Sequence, residues 1–412
     1  MTMGVRHDDL RKRNRAMVIA AVRREGQPSR TDLVNRTGLS HSTISAISSD
    51  LIAEGVLRPV KGAGNDVVRR GRPQVSLGLE PKAGTVLTVV LLLNTLSATV
   101  IDYAGQTVAE RRERLSTLTI SRDELVDAVF AMVEGVLSDS RREASDVMRK
   151  SMAVPGLTDS DARALLWTPI TPHSGIAFAD LLKERFGFPV TVQNDCNMIA
   201  VALRGRDPER YRDNFVTILL SNGIGMGLVL RGELFTGAYS SGGEFGHMIH
   251  RPHGALCRCG RHGCIEAYAG NYAILRASEG HDDQSEPDAD VDHETMLRLA
   301  GEARQQDGPA RSAFTRAGEA LGYGLGSLFA LIDPAPVAVV GPGTLAFDIM
   351  ESSIREAIGQ TAGGQHDAVI SFDLETDEMP LILEGCARKA LEAVDNELFA
   401  PGYMNAMQEA AS

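Results

Sequence analysis

Nowhere does the chain run eighteen or more apolar residues together, the length a membrane-spanning helix needs. Its opening, Met1-Thr-Met-Gly-Val-Arg-His, lacks the apolar segment of a secretory signal. Cysteine is scarce: there are five in 412 residues, an odd number, and three fall within eight positions. That distribution is no disulfide framework; it implies a reducing compartment and a metal. The expected location is therefore cytoplasmic. A length of 412 residues with 43% apolar content is enough for two or three ordinary globular domains.

What is present divides by charge. Residues 1–82 carry 15 Lys+Arg against 8 Asp+Glu, a net of +7; the remainder carries 27 against 46, a net of −19, and the two sum to −12. A small basic head on a large acidic body assigns a polyanion to the head alone. In the head, Leu10, Asn14, Met17/Val18 and Ala21/Val22 recur at helical spacing until Gly26. Ser29 with Asp32 predicts an N-cap for a second helix over Arg30–Thr37, stopped by Gly38; Ser40 caps a third running to Glu54. Helix, Gly-Leu-Ser turn, helix is the helix-turn-helix pattern. On the third helix Ile44, Ile47 and Leu51 share one face, and Ser42, Ser45, Ala46 and Ser49 lie opposite. A small uncharged face lets a helix sit deep in a major groove, so His41, Ser42, Thr43, Ser45 and Ser49 are candidate contacts to double-stranded DNA. Residues 56–77 predict a β-hairpin wing whose Arg69, Arg70 and Arg72 would meet phosphates or the minor groove.

From residue 83 the pattern is α/β. Two apolar runs over 85–102 break at Asn94-Thr95, and a third strand follows Ala104-Gly105. A helix over about 123–137, a strand ending at Val154-Pro155-Gly156, a helix over 176–186 and a strand ending at Asn194-Asp195 follow. A polar pair just past a strand's carboxyl end is where such folds place ligand groups. The pattern then repeats: a strand over Phe215–Leu220, a glycine turn over 221–227, a strand over Leu228–Leu234, a helix over about 310–331 and a strand over Val337–Val340. Two copies predict a duplicated, two-lobed fold with a cleft between lobes 83–200 and 201–384. An amphipathic segment over 381–400 is expected to pack back, with 385–400 against the first lobe. Gly223, Gly225 and Gly227 would let backbone N–H groups approach a phosphate, or form no more than a tight hairpin. Residues 279–294, acidic and nearly devoid of large apolar groups, read as a mobile surface loop with no chemistry.

The densest chemistry lies over 242–270, which holds Cys257, Cys259 and Cys264 with four histidines and is flanked by Glu244 and Glu266. Soft thiolates with an imidazole suit Zn²⁺. Spacing alone leaves the fourth ligand open among His247, His250, His253 and His262.

Glu244-Phe-Gly-His247, nine residues, then Cys257-Arg-Cys-Gly-Arg-His-Gly-Cys264-Ile-Glu266 closely resembles the zinc and sugar signature of the ROK family of sugar kinases and sugar-responsive repressors. Ser29-Arg30, Thr37-Gly-Leu-Ser-His-Ser-Thr-Ile-Ser45 and Gly71-Arg-Pro resemble its repressor branch. The resemblance implies a winged helix-turn-helix over 1–82 followed by a duplicated actin/hexokinase-like body. It makes His247 the fourth ligand of one closed, structural Zn²⁺ site within 247–264. It also implies sugar contacts from Gly156, His173, Asn194, Asp195, Glu244, His247 and Glu266. The kinases carry Asp-x-Gly-Gly-Thr at the first phosphate turn, where this chain has Val90-Leu-Leu-Leu-Asn94. Leu92 and Leu93 would fill the volume a phosphoryl group needs, so Asp195, the kinases' general base, is left as a hydrogen-bond acceptor. The implied protein is no enzyme but a homodimeric or homotetrameric repressor. It would hold an inverted-repeat operator and be released or modulated by a sugar or sugar derivative. An active ATP-dependent sugar kinase with an accessory DNA-binding head is the alternative, and a regulating protein partner is a third option.

Overall fold

The computed structural model describes residues 7–60, 75–287 and 290–399. Three helices begin it: α1 (His7–Glu25), α2 (Arg30–Thr37) and α3 (His41–Ala53). Local chemistry sets their ends. Ser29 accepts the Asp32 N–H while the Asp32 carboxylate accepts the Ser29 N–H at 2.9 Å, both halves of a capping box. Gly38, at φ 71°, ends α2 in the left-handed conformation. The Ser40 hydroxyl accepts the Thr43 N–H at the start of α3. Ile44, Ile47 and Leu51 are buried against Val18, Val22 and Leu33, whereas Ser42, Ser45 and Ser49 are exposed. Strands β1 (Leu57–Val60) and β2 (Ser76–Leu79) then pair antiparallel. The wing tip with Arg69, Arg70 and Arg72 lies outside the described residues.

The body contains two sheets of one design. The first uses β3 (Thr85–Leu92), β4 (Thr95–Asp102) and β5 (Thr107–Arg114), then α4 (Arg122–Ser140) and β6 (Val147–Val154). A small pair, β7 (Leu157–Thr158) and β8 (Leu165–Trp167), precedes α5 (Phe178–Phe186), β9 (Val190–Asn194) and α6 (Asp195–Arg206). The second uses β10 (Phe215–Leu220), β11 (Ile224–Leu230) and β12 (Glu233–Leu234). Four helices follow: α7 (Glu266–Ala269), α8 (Asn271–Ser278), α9 (His293–Gln305) and α10 (Pro309–Ile332). Strand β13 (Val337–Val340), α11 (Phe347–Gly359), β14 (Phe372–Glu375) and α12 (Glu378–Ala393) complete the strands and α-helices of the described residues. The sheet orders, β5-β4-β3-β6-β9 and β12-β11-β10-β13-β14, are the same pattern twice, an antiparallel meander extended by two parallel strands. Between the sheets, Val90 and Ala153 meet α6, the α12 residues Ile382 and Cys386, and Phe215, Val229 and Val340 in one buried cluster.

The second strand of the second unit begins at Ile224 rather than Leu228. The ladder pairs Leu220 with Ile224, so the turn is only 221–223, and Gly225 and Gly227 lie inside β11. Their absent side chains make room for α6: a Cβ at Gly225 would overlap Cys196 Sγ, and one at Gly227 the Cys196 carbonyl oxygen. These glycines therefore seat a helix, and only Gly223 belongs to the turn. A carbonyl cannot rotate aside, so Gly227→Ala is expected to cost about 1–3 kcal/mol in chemical denaturation. Gly301→Ala, in α9 with no neighbour within 4 Å, is expected to be neutral or to stabilise by up to about 1 kcal/mol.

Candidate binding cleft and metal centre

A cleft of about 630 Å³ opens between the two sheets. Its floor is the junction of β9 and α6. Asn194 caps α6 by accepting the Asn197 N–H at 3.0 Å, and its amide donates to the Gly156 carbonyl at 3.1 Å. Gly156 is held at φ 99° against the Trp167 carbonyl. Asp195, 2% exposed, accepts the Cys196 N–H at 2.8 Å, and burial pushes its carboxyl up to about 6. Glu244, from the loop after β12, also lines the cleft and is likewise raised by burial.

Glu266, at the start of α7, is nearly fully buried. It accepts the Ile224 N–H at 3.1 Å on Oε2 and the Tyr272 hydroxyl at 3.2 Å on Oε1. Both its oxygens thus already bind protein, Oε1 also taking Cys257 Sγ at 3.5 Å, while the residue still lines the cleft. His173 is not a cleft residue: its Nε2 lies 2.7 Å from the Ile120 carbonyl, outside the lining that includes Pro169 and Ile170.

Beside Glu244 the chain gathers His247, Cys257, Cys259 and Cys264, with one ligand atom from each lying within 4.8 Å of all the others. Cys259 and Cys264 Sγ are 3.8 Å apart, and Cys257 Sγ is 3.8 Å from His247 Nδ1. Tetrahedral thiolates about 2.3 Å from a zinc would be about 3.8 Å apart, so the donor set fits a metal. His247 turns its other nitrogen, Nε2, toward Glu244 at 4.0 Å. The remaining histidines are occupied elsewhere. His250 packs edge-on against Tyr268, His262 Nδ1 lies 3.3 Å from the Gly254 carbonyl, and His253 is exposed.

The cleft lining also includes Leu92 and Leu93 at the β3–β4 turn and Arg112 and Arg114 of β5. Here the acidic segment 279–294 departs from its expected idleness. Asn222 donates to Asp290 at 2.8 Å and accepts the Val291 N–H at 3.0 Å, while Arg114 from the first sheet reaches Asp290 at 3.1 Å. Asp283 pairs with Arg316, and Val291, Asp292 and His293 line the cleft. Composition hid this because the ordering partners are distant in sequence. Another residue missed in sequence is Glu378, which lines the cleft from the first turn of α12 and takes a 3.4 Å hydrogen bond from Ser221. Asp377 marks that helix start as an N-cap, but nothing local shows which way Glu378 faces.

Several known proteins resemble this chain over most of its length. The xylose repressor of Bacillus subtilis is 23% identical over 368 residues, covering 88% of this chain and 91% of its own. The DNA-binding transcriptional dual regulator NagC of Escherichia coli is 23% identical, covering 86% of each. Among solved structures, a ROK family transcriptional regulator homologous to Escherichia coli MLC superposes with a TM-score of 0.76 at 22% identity, covering 95% of this chain and 98% of that one. A ROK family glucokinase from Streptomyces griseus, in complex with glucose and AMPPNP, gives 0.59 at 26% identity and covers 74% of this chain and 99% of that one. With residues 94–375 matched to the family's description, more than half of its length, the chain belongs to the ROK family.

Proposed function

We propose that the protein is a transcriptional repressor whose body senses a sugar or sugar derivative. The observation that carries this reading is the pairing of a helix-turn-helix head with a cleft whose lining includes Leu92 and Leu93 at the β3–β4 turn. Relatives that cover 86% and 88% of this chain are named a DNA-binding transcriptional dual regulator and a xylose repressor, which supports it. In this reading the head is 1–82 and the lobes are 83–200 and 201–384. Exposed His41, Ser42, Ser45 and Ser49, with Thr43, face the major groove, and the wing arginines meet phosphates. A homodimer or homotetramer spaces two recognition helices by a whole number of DNA turns, in the cytoplasm.

Asp195 and Glu244 hold sugar hydroxyls, backed by Asn194, Gly156, Glu266 and His247; each carboxylate can accept two hydrogen bonds. His247, Cys257, Cys259 and Cys264 hold one structural Zn²⁺, which fixes the imidazole and through it Glu244. The raised Asp195 carboxyl also suits a general base, and that favours kinase activity as a second reading.

A thermal-shift panel of pentoses, hexoses, amino sugars, cyclitols and sugar phosphates should contain a ligand that raises the melting point. That ligand should change affinity for a duplex selected from random DNA by roughly 5–150-fold. ATP consumption across the panel should stay at background; turnover that disappears in Asp195→Asn would establish the kinase instead.

Cys257→Ser is expected to lose about one metal equivalent by elemental analysis and several kcal/mol of stability, and chelation should lower the wild-type melting point but not the variant's. For Asp195 the sign is set by its raised value. The unliganded fold gains stability as pH falls through about 6 toward 3.8, because it binds the proton more readily than the unfolded chain. A sugar held by the ionised carboxylate should bind more weakly by up to about tenfold per unit below pH 6. Calorimetry on Asp195→Asn should show that dependence abolished.

A further inference from the structure

Helix α12 has one end in the cleft and the other at the head. Glu378 stands in its first turn. Along its length it packs on α6, whose own first residue is Asp195, and on β3 and β6. The approach to α6 is at backbone distance, since a Cβ on Gly385 would overlap the Met198 carbonyl. Seventeen residues on from Glu378, about 25 Å at helical rise, the chain reaches a buried joint. Asp395, 7% exposed, accepts Arg23 of α1 on both oxygens at 3.0 and 3.1 Å, and also the Tyr103 hydroxyl at 2.5 Å. Arg23 also donates to the Tyr103 carbonyl at 2.7 Å. Phe399 packs edge-on against the Tyr103 ring at 5.0 Å, and its carbonyl accepts Arg15 of α1 at 3.0 Å. The same Arg15, 3% exposed, pairs with Glu54 at the end of α3. One joint thus ties α1, the end of the recognition helix, the first sheet and the end of α12.

A buried ion pair contributes little net stability compared with apolar packing, but losing one partner is costly. It therefore fixes an arrangement more than it strengthens one. Any change of angle between the sheets must shift α12 against α6 in their shared core, and a helix transmits such a shear along its axis. We infer that α12 carries the occupancy of the cleft to the DNA-binding head: Glu378 reads the ligand at its first turn, and Asp395 and Phe399, just past its last, set the position of α1. The inference rests on the repressor reading above, but its test needs no sugar.

Hydrogen–deuterium exchange on the full-length protein would compare wild type with Tyr103→Phe, which removes only the hydroxyl given to Asp395, and with Glu378→Gln. Tyr103→Phe should raise exchange in α1 by about tenfold and, at the far end, in the first turns of α12 and α6 by about threefold. Glu378→Gln should alter exchange in α1 by about threefold while β13 stays unchanged. Should Tyr103→Phe fail to fold, Arg23→Met with Asp395→Leu removes both charges together and should give the same long-range pattern. Changes confined to the neighbours of each substituted residue, or a uniform rise that includes β13, would overturn the inference. Failure of the sensor reading shows separately, as a sugar panel that leaves the melting point unmoved.

Discussion

The closeness with which α6 lies against its neighbours governs the rest of the body. On one side Gly225 and Gly227 of β11 leave only backbone facing Cys196, and on the other Gly385 of α12 meets the backbone at Met198. The helix is clamped between glycines belonging to different parts of the chain, and its first turn has no slack. Asn194 and Asp195 therefore stand at a fixed depth on the cleft floor, in a desolvated position that raises the Asp195 carboxyl. Even one methyl group on either glycine face would lift the helix and move the polar pair with it.

From that floor the cleft wall is built by shared partners rather than by independent contacts. Glu266 joins three features at once: the start of β11 through the Ile224 N–H, α8 through the Tyr272 hydroxyl, and the cysteine cluster through Cys257 Sγ at 3.5 Å. His247 offers Nδ1 to the thiols and turns Nε2 toward Glu244. A metal held by this set would orient the imidazole, and the imidazole would in turn restrain the carboxylate, an outer-shell linkage of the kind that tunes metal ligands elsewhere. The knuckle and the cleft share Glu266, which meets Cys257 on one side and lines the cleft on the other.

How much was legible in sequence follows from the range of the interactions involved. The ends of α2 and the start of α3 were readable nearly to the residue, because Ser29, Asp32, Gly38 and Ser40 act within four positions of themselves. The duplication into two α/β units was readable from repeated apolar runs, though not the order of the strands. The glycine run at 223–227 misled because glycine has two physical uses. Spacing suggests a turn, whereas the approach of α6 is a tertiary fact invisible in the run itself. Asp290 was passed over because its partners, Asn94, Arg114 and Asn222, lie far along the chain. Cysteine and histidine spacing reached the cluster but not its fourth member; the fold brings His247 to the thiols and leaves His250, His253 and His262 outside.

Magnitudes decide which of the long-range contacts can matter for regulation. A coupling of about 1–3 kcal/mol suffices to change affinity by 5–150-fold. The Arg114–Asp290 contact joins the first sheet to the segment before α9, but Arg114 is 81% exposed, and such a surface pair contributes about 1 kcal/mol or less. The joint at Asp395 is different in kind. Its hydrogen bonds to charged groups are buried, and removing one partner of such a set costs about 3–5 kcal/mol. A fraction of that cost already spans the needed range. Since that joint also holds Arg15, and Arg15 holds Glu54 at the end of α3, a small displacement arriving there changes the seating of the recognition helix rather than dissipating in solvent.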